Sequence, residues 1–106
     1  IVRLLYLQAG WLKNVGLRNT RETSLLKWHA TDAAFASADS ALQIYGAEGY
    51  SAGQPIERFW RNARVGALYE GTNEIHQLIQ AGYALGERVD APLRRELPTY
   101  DSAAWS

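Results

Sequence analysis

The hydrophobic side chains of this sequence recur at helical spacing. Over residues 1 to 15 they fall on the i, i+3, i+4 and i+7 rows of a helix, at Ile1, Leu4, Leu5, Trp11, Leu12 and Val15. This is the pattern of an amphipathic helix. Gly16 is predicted to end that helix, because glycine adopts left-handed backbone at little steric cost. Asn19, with Glu22 following in the next turn, predicts the start of a second helix through a capping box.

The second helix is predicted from about Thr20 to Tyr45. Its middle is rich in alanine, which lets neighbouring helices approach closely. The larger apolar residues of its seam are Leu25, Trp28, Phe35 and Leu42. Asp32 and Asp39 share the same stripe, so each needs a polar partner that the sequence does not name. Gly46 is predicted to end the helix, and a loop continues to Gln54.

Two shorter helices are predicted after this loop. Pro55 suits the first turn of the third helix, whose apolar face consists of Ile56, Phe59, Trp60 and Ala63. The fourth helix is predicted from about Thr72 to Leu85, with Thr72 or Asn73 as its cap and Gly86 as its end. Its apolar face consists of Ile75, Leu78, Ile79 and Gly82.

The pattern contains no convincing strand, so the predicted fold class is all-α, an antiparallel helical bundle joined by short loops. We assign the bundle to residues 1–89 and an extended C-terminal tail to residues 90–106. Pro92 and Pro98 favour that extended tail. Its predicted surface anchors are Leu97, Tyr100 and Trp105. Because the chain opens inside an apolar pattern without methionine, we expect part of the first helix, and any targeting segment, to lie upstream.

Composition narrows the function classes. Lysine plus arginine and aspartate plus glutamate number 11 each, so the formal charge is zero. A neutral chain does not favour a nucleic acid or an anionic membrane surface as partner. No apolar stretch approaches the roughly 20 residues that span a bilayer. Without cysteine, and with only His29 and His76, neither a disulfide nor a metal cluster is predicted.

Three short motifs follow one another through the second half of the chain. They are Gln43-Ile44-Tyr45-Gly46-Ala47-Glu48-Gly49-Tyr50, Pro55-Ile56-Glu57-Arg58-Phe59-Trp60-Arg61-Asn62-Ala63, and Tyr69-Glu70-Gly71-Thr72-Asn73-Glu74-Ile75. In this order and spacing they resemble the C-terminal helical domain of the acyl-CoA dehydrogenase family. The sequence departs from the family pattern at Ala47, where a second glycine is usual, and at Asn62, where aspartate is usual.

The resemblance implies an FAD enzyme that converts an acyl-CoA thioester to the trans-2-enoyl-CoA. It implies that Glu70 is the base that removes the α-proton while a hydride leaves the β-carbon for flavin N5. Tyr69, Glu70 and Gly71 would contact the substrate, with the Glu70 amide donating to the thioester oxygen as in an oxyanion hole. The residues implied as FAD contacts are Gln43, Ile44, Gly46, Ala47, Thr72, Asn73 and Glu74.

The resemblance also implies partners. In the family the loop that begins at Gln43 reaches the FAD of a neighbouring subunit, so we expect an oligomer, usually a homotetramer. Electron-transfer flavoprotein or a similar acceptor would take the electrons. The compartment would be the cytoplasm of a bacterium or the mitochondrial matrix of a eukaryote. We expect the chain alone to be inactive, since further domains complete the flavin site.

Other interpretations remain open at this stage. An acyl-CoA oxidase shares the scaffold but lets oxygen reach the reduced flavin. A non-catalytic dehydrogenase-like binding domain is disfavoured by Glu70 and by the neutral charge. The sequence around His76 resembles the glutaryl-CoA dehydrogenase branch, but one histidine does not determine a substrate. A role for His76 in packing is favoured over a role as a ligand. Arg58, Arg61 and Arg64 indicate a salt-bridged surface rather than a phosphate site, because Glu57 lies beside them.

Overall fold

The computed structural model describes residues 1–90, in which four helices follow one another. They are α1 (Val2–Asn14), α2 (Thr20–Tyr50), α3 (Ile56–Gly66) and α4 (Asn73–Ala84). The predicted all-α fold is confirmed. The predicted tail, with its anchors Leu97, Tyr100 and Trp105, lies outside the described residues, and the domain boundary at residue 89 stays a prediction. Within residues 1–90, no helix is both long and apolar enough to cross a bilayer.

The long helix α2 is the centre of the bundle and packs against α1, α3 and α4. Side-chain contacts give the direction of each pair. Along α4, Asn73 bonds Asp32, and Gln80, further along the helix, bonds the backbone of Arg21. The helices α2 and α4 therefore run in opposite directions. Along α3, Trp60 bonds Asp39, and Gly66 lies against Thr31. Both helices are therefore antiparallel to α2.

The outer helices pack on α2 and not on one another, so no helix of the described region is enclosed. Ala9 is accordingly the only hydrophobic residue between positions 1 and 90 that is buried, at 6% exposure. Several large apolar side chains remain open to solvent in this chain, among them Leu4, Ile44 and Leu78. The bundle therefore leaves broad apolar surfaces that its own helices do not cover.

Glycine ends α1 and α4 as predicted. Gly16 and Gly86 have φ of +74° and +73°, a conformation that a side chain disfavours. After each glycine the chain turns back on the helix. The amide of Leu17 donates to the carbonyl oxygen of Leu12 at 2.9 Å, and the amide of Glu87 donates to that of Gly82 at 3.0 Å. These are the bonds of the Schellman motif, which satisfies carbonyls that the helix end leaves free.

The predicted capping box at the start of α2 is wrong. Asn19 stands at the N-cap position, but its side chain makes no capping hydrogen bond. Instead its Nδ2 donates to the carbonyl oxygen of Ala9 at 2.8 Å. The side chain therefore ties the connection between α1 and α2 to the body of α1. The Asn19 side chain thus donates to a carbonyl of α1, whereas the sequence pattern favours acceptance from an amide of its own helix.

The end of α2 differs from the prediction. Gly46 leaves the helical conformation as expected, with φ 59° and ψ −142°. The chain then resumes a helical turn from Ala47 to Tyr50, so the predicted loop begins later, at Ser51. The Ser51 hydroxyl and amide both donate to the carbonyl oxygen of Glu48, at 2.8 and 3.2 Å. Gly46 is therefore a bend within a longer helix.

The seam between α2 and α3 supplies a partner for Asp39. Its carboxylate accepts a hydrogen bond of 2.9 Å from the indole Nε1 of Trp60. The Trp60 ring packs against Phe35 with centroids 5.5 Å apart. The Arg64 guanidinium lies over the Phe35 ring at 5.8 Å. Arg61 forms an exposed ion pair with Glu57 at 3.8 Å. These arginine contacts agree with the predicted structural surface.

The face of α4 that contacts α2 is not the predicted apolar one. Ile75 and Leu78 of that apolar face are 50% and 68% exposed. The side chains that reach α2 are the polar ones of Asn73, His76 and Gln80, spaced along the opposite side of the helix. Hydrogen bonds therefore contribute to holding α4 on α2, while Ile75 and Leu78 are open to solvent.

Candidate active site

Glu70 lies in the short connection between α3 and α4, in an unusual backbone conformation. Its φ is +56°, the only positive φ of a non-glycine residue in residues 1–90. Such a conformation costs an L-residue about 1–2 kcal/mol and persists only where surrounding contacts impose it. Gly71 follows with φ +89°. The Glu70 side chain is exposed, so its carboxylate faces outward from the bundle.

Lys27 of α2 holds the backbone immediately after Glu70. Its Nζ donates to the carbonyl oxygen of Gly71 at 2.7 Å. The same Nζ donates to Oδ1 of Asn73 at 3.1 Å. A charged donor makes stronger hydrogen bonds than a neutral one. The Lys27 ammonium therefore joins α2 to the segment between α3 and α4 and to the first turn of α4.

Asn73 is the buried centre of this contact, at 6% exposure. Its Oδ1 accepts from the hydroxyl of Thr31 at 3.0 Å as well as from Lys27. Its Nδ2 donates to the carboxylate of Asp32 at 2.7 Å. Its backbone amide donates to the carbonyl oxygen of Ala67 at 3.1 Å, which closes the connection segment. The polar partner that Asp32 required is thus Asn73.

His76 contacts the carbonyl of Glu70 itself. Its Nε2 lies 3.3 Å from that oxygen, and its Nδ1 lies 3.0 Å from the hydroxyl oxygen of Ser24 on α2. Because a carbonyl oxygen only accepts, Nε2 must carry a proton for this contact to be a hydrogen bond. A Cβ added to Gly71 would lie 3.1 Å from the same Nε2. Glycine therefore leaves the space that the imidazole occupies.

The first turn of α4 contains Glu74, whose side-chain pKa is lowered. The pKa of Glu74 is lowered chiefly because the ionised carboxylate accepts a hydrogen bond from its own backbone amide. The Thr72 hydroxyl adds a second hydrogen bond, and the positive charges of Arg64 and Lys27 act in the same direction. The Thr72 side chain thus serves Glu74 and makes no capping hydrogen bond to the helix.

The first motif lies far from Glu70 on this chain. Gln43 stands 16 residues beyond Lys27 along α2, which corresponds to roughly 24 Å of helix. Gln43, Ile44, Gly46 and Ala47 are all exposed at the bend of α2, and a Cβ added to Gly46 would meet nothing within 4 Å. This open backbone fits a surface that receives a large group such as FAD. The chain therefore separates the two sets of predicted FAD contacts.

Residues 1–85 match the family model described as acyl-CoA dehydrogenase, C-terminal domain. The chain belongs to the acyl-CoA dehydrogenase family. It is 48% identical over 84 residues to an acyl-CoA dehydrogenase of Bacillus subtilis, covering 79% of this chain and 22% of that protein. It is 42% identical over 83 residues to the mitochondrial short-chain specific acyl-CoA dehydrogenase of Rattus norvegicus, covering 78% and 20%. The predicted family is confirmed.

A solved structure has a similar fold. The domain superposes with a TM-score of 0.76 at 34% identity on a chain from a study of the electron transferring flavoprotein of Acidaminococcus fermentans and flavin-based electron bifurcation. The match covers 79% of this chain and 22% of the solved one. This acyl-CoA dehydrogenase domain therefore spans about a fifth of the length of the curated relatives it matches.

Three residues of this acyl-CoA dehydrogenase domain that shape the Glu70 segment escaped sequence reasoning. Ser24, Lys27 and Thr31 of α2 all reach across to α4 or to the segment before it. Their spacing places them on one face of the helix. This row of polar residues, next to the apolar seam of α2, was the signal in the sequence that could have identified them. What it could not provide was the identity of the partners.

Proposed function

We propose that the full-length protein is an FAD-dependent acyl-CoA dehydrogenase in which Glu70 removes the α-proton of the acyl-CoA thioester. The product would be the trans-2-enoyl-CoA. The observation that carries the proposal is the left-handed backbone of Glu70, with hydrogen-bond partners on its own carbonyl and on the next one. A strained, tightly held residue at the position of the family's base is typical of a preorganised catalytic group.

The residues of this chain have separable tasks in the proposed reaction. The Glu70 carboxylate is exposed and can meet a substrate that approaches from outside the bundle. It takes the α-proton onto a carboxylate oxygen, and negative charge moves toward the thioester oxygen. The Glu70 amide would donate to that oxygen and stabilise the charge as it develops. Tyr69 and Gly71 would contact the substrate, and the chemistry that bound FAD would supply is acceptance of the hydride that leaves the β-carbon.

Two sets of residues are proposed to hold FAD. Thr72 and Glu74 stand at the N-terminal end of α4, where the helix dipole suits an anionic group. Gln43, Ile44, Gly46 and Ala47 form the second set. Gln43 lies roughly 24 Å along α2 from Lys27, the residue that contacts the Glu70 segment, and this separation supports contact with a different flavin, held by a neighbouring subunit. We therefore retain a homotetramer as the proposed assembly.

Asn73 has a different place in this proposal. The sequence motif predicts it as an FAD contact, and that prediction remains without a direct test. Its side chain and its amide bond Lys27, Thr31, Asp32 and Ala67 within this chain. We therefore propose that Asn73 supports the site by holding the start of α4 in place.

The names of the relatives support a proposed class of substrate and a proposed electron acceptor. Those of Rattus norvegicus, Bos taurus and Clostridium acetobutylicum are called short-chain specific, so a short-chain acyl-CoA is the proposed substrate. The study of the solved relative concerns an electron transferring flavoprotein, which supports such a protein or a similar acceptor as partner. The proposed compartment is the bacterial cytoplasm or, in a eukaryote, the mitochondrial matrix.

Replacement of Glu70 in the full-length holoenzyme tests the proposal. Glu70→Gln should keep its FAD yet lose anaerobic flavin bleaching by acyl-CoA by about 10³-fold or more, because an amide cannot accept the proton. Glu87→Gln, at an exposed position beyond α4, is the matched control and should bleach normally. Unchanged bleaching in Glu70→Gln would remove this residue from the mechanism. Rapid reoxidation of the bleached flavin by air would favour the oxidase alternative.

A further inference from the structure

We propose that Lys27 and His76 are positioning residues that aim Glu70 at the substrate by holding two consecutive carbonyl groups. This inference rests on the proposed role of Glu70 as base. Lys27 Nζ donates to the carbonyl oxygen of Gly71 at 2.7 Å. His76 Nε2 lies 3.3 Å from that of Glu70. The two side chains come from different helices, α2 and α4, and meet at adjacent peptides.

The orientation of these peptides determines where the Glu70 side chain points. The amide of Tyr69 donates to the carbonyl oxygen of Val65 at 3.2 Å, which holds the chain before Glu70. Lys27 and His76 hold the chain after it. With the amide of Tyr69 held on one side and the carbonyl groups of Glu70 and Gly71 held on the other, the left-handed φ of Glu70 is imposed by contacts outside its side chain. Without these bonds the backbone can relax to negative φ, which redirects both the carboxylate and the amide.

Each positioning residue is itself fastened by a second bond. Lys27 also donates to Asn73 Oδ1, and His76 also faces the Ser24 hydroxyl through Nδ1. The Ser24 hydroxyl can either donate to Nδ1 or accept from it, so this contact holds the ring in either case. Both side chains therefore have their direction set by a group outside the Glu70 segment. Hydrogen bonds that hold such supporting side chains keep a catalytic group within a fraction of an ångström of its working position.

The test compares variants of the full-length holoenzyme in single-turnover flavin reduction. Lys27→Met keeps the aliphatic stem and removes the donor, and His76→Leu removes the imidazole. In each, we expect the limiting rate to fall by roughly 10- to 100-fold, because a misplaced base costs rate steeply. FAD content and the substrate dissociation constant should stay within about twofold. His76→Gln, which can donate from its amide, should restore most of the rate. Lys13→Met, an exposed lysine of α1, is the matched control and should match the unaltered enzyme.

Isotope effects separate positioning from a merely structural role. When the base is misplaced, cleavage of the α-C–H bond limits the rate more strongly. The α-deuterium isotope effect should therefore rise in Lys27→Met and His76→Leu, whereas a general loss of folded protein would leave it unchanged. Amide hydrogen exchange in residues 68–74 should also accelerate in these two variants and not in Lys13→Met.

Combining Lys27→Met with Glu70→Asp tests whether Lys27 acts through Glu70. The combined loss should be smaller than the product of the single losses, since both changes misplace the same carboxylate. Normal rate and isotope effect in Lys27→Met and His76→Leu, alongside an inactive Glu70→Gln, would overturn the positioning roles and leave the proposed function intact. Normal bleaching in Glu70→Gln would instead overturn the proposed function, and the positioning inference with it.

Discussion

Exchanging the amide and the carboxylate that meet between α4 and α2 tests whether Asn73 fastens the segment that carries Glu70. In Asn73→Asp, the Nδ2 donor that faces Asp32 at 2.7 Å becomes a second carboxylate oxygen. The new charge lies close to Asp32, which repels it, and to Lys27, 3.1 Å from Oδ1, which attracts it. These two Coulomb effects are of similar range and opposite sign.

What remains is mainly the loss of one charge-assisted hydrogen bond. Such bonds contribute about 1.5–3 kcal/mol, and because Asp32 is exposed to water the lower part of that range applies. We therefore expect Asn73→Asp to reduce the free energy of unfolding by about 2 kcal/mol. Asp32→Asn alone should cost less than about 1 kcal/mol, since a carboxamide can turn its oxygen toward Nδ2.

The double variant Asn73→Asp/Asp32→Asn is the decisive measurement. It exchanges donor and acceptor and should restore stability to within about 0.5 kcal/mol of the unaltered protein. Urea titration of the full-length protein measures all three, and Asn62→Asp at an exposed site of α3 is the matched control. A double variant as unstable as Asn73→Asp, or a harmless Asn73→Asp, would refute the reasoning.

Two further predictions concern the ends of the same segment. Gly71→Ala should lower the free energy of unfolding by about 2 kcal/mol, because φ is +89° and the added Cβ would lie 3.1 Å from His76 Nε2. Gly10→Ala, helical and with open space at its Cβ, should instead raise it by about 0.5–1 kcal/mol; equal effects in a urea titration would contradict this contrast. Because the folded-state pKa of Glu74 is lowered from 4.5, its ionised form stabilises the fold above that pH and the benefit is lost as pH falls through the lower folded value. The gap in unfolding midpoint between Glu74→Gln and the unaltered protein should accordingly be largest near about pH 7 and shrink in acid, and a gap that stays constant would oppose it.

Much of the architecture is local and could be predicted from the sequence. Gly16 and Gly86 end their helices because the left-handed turn that closes a helix needs a residue without Cβ. Helical periodicity places the four helices. The ordered motifs from Gln43 to Ile75 indicate the family that the domain match over residues 1–85 confirms.

Pairings across the bundle could not be predicted in the same way. Ser24 meets His76 across 52 positions of sequence, and Asp32 meets Asn73 across 41. Periodicity shows which residues share a face of a helix, but which face packs depends on the register between helices. For that reason the apolar face of α4 did not indicate which residues contact α2. Asn19 likewise prefers a carbonyl of α1 to the cap of its own helix.

Glu70 shows the division most clearly. The sequence alone determined that a glutamate stands between Tyr69 and Gly71 just before a helix, in a motif that resembles the one containing the family's base. Only the tertiary structure decided its left-handed backbone, because no local preference favours positive φ at glutamate. In the proposal above, that conformation depends on Lys27 of α2 and on His76 of α4, which contact the carbonyl groups of Gly71 and Glu70. The sequence places the glutamate before the helix, and contacts between helices determine its backbone conformation.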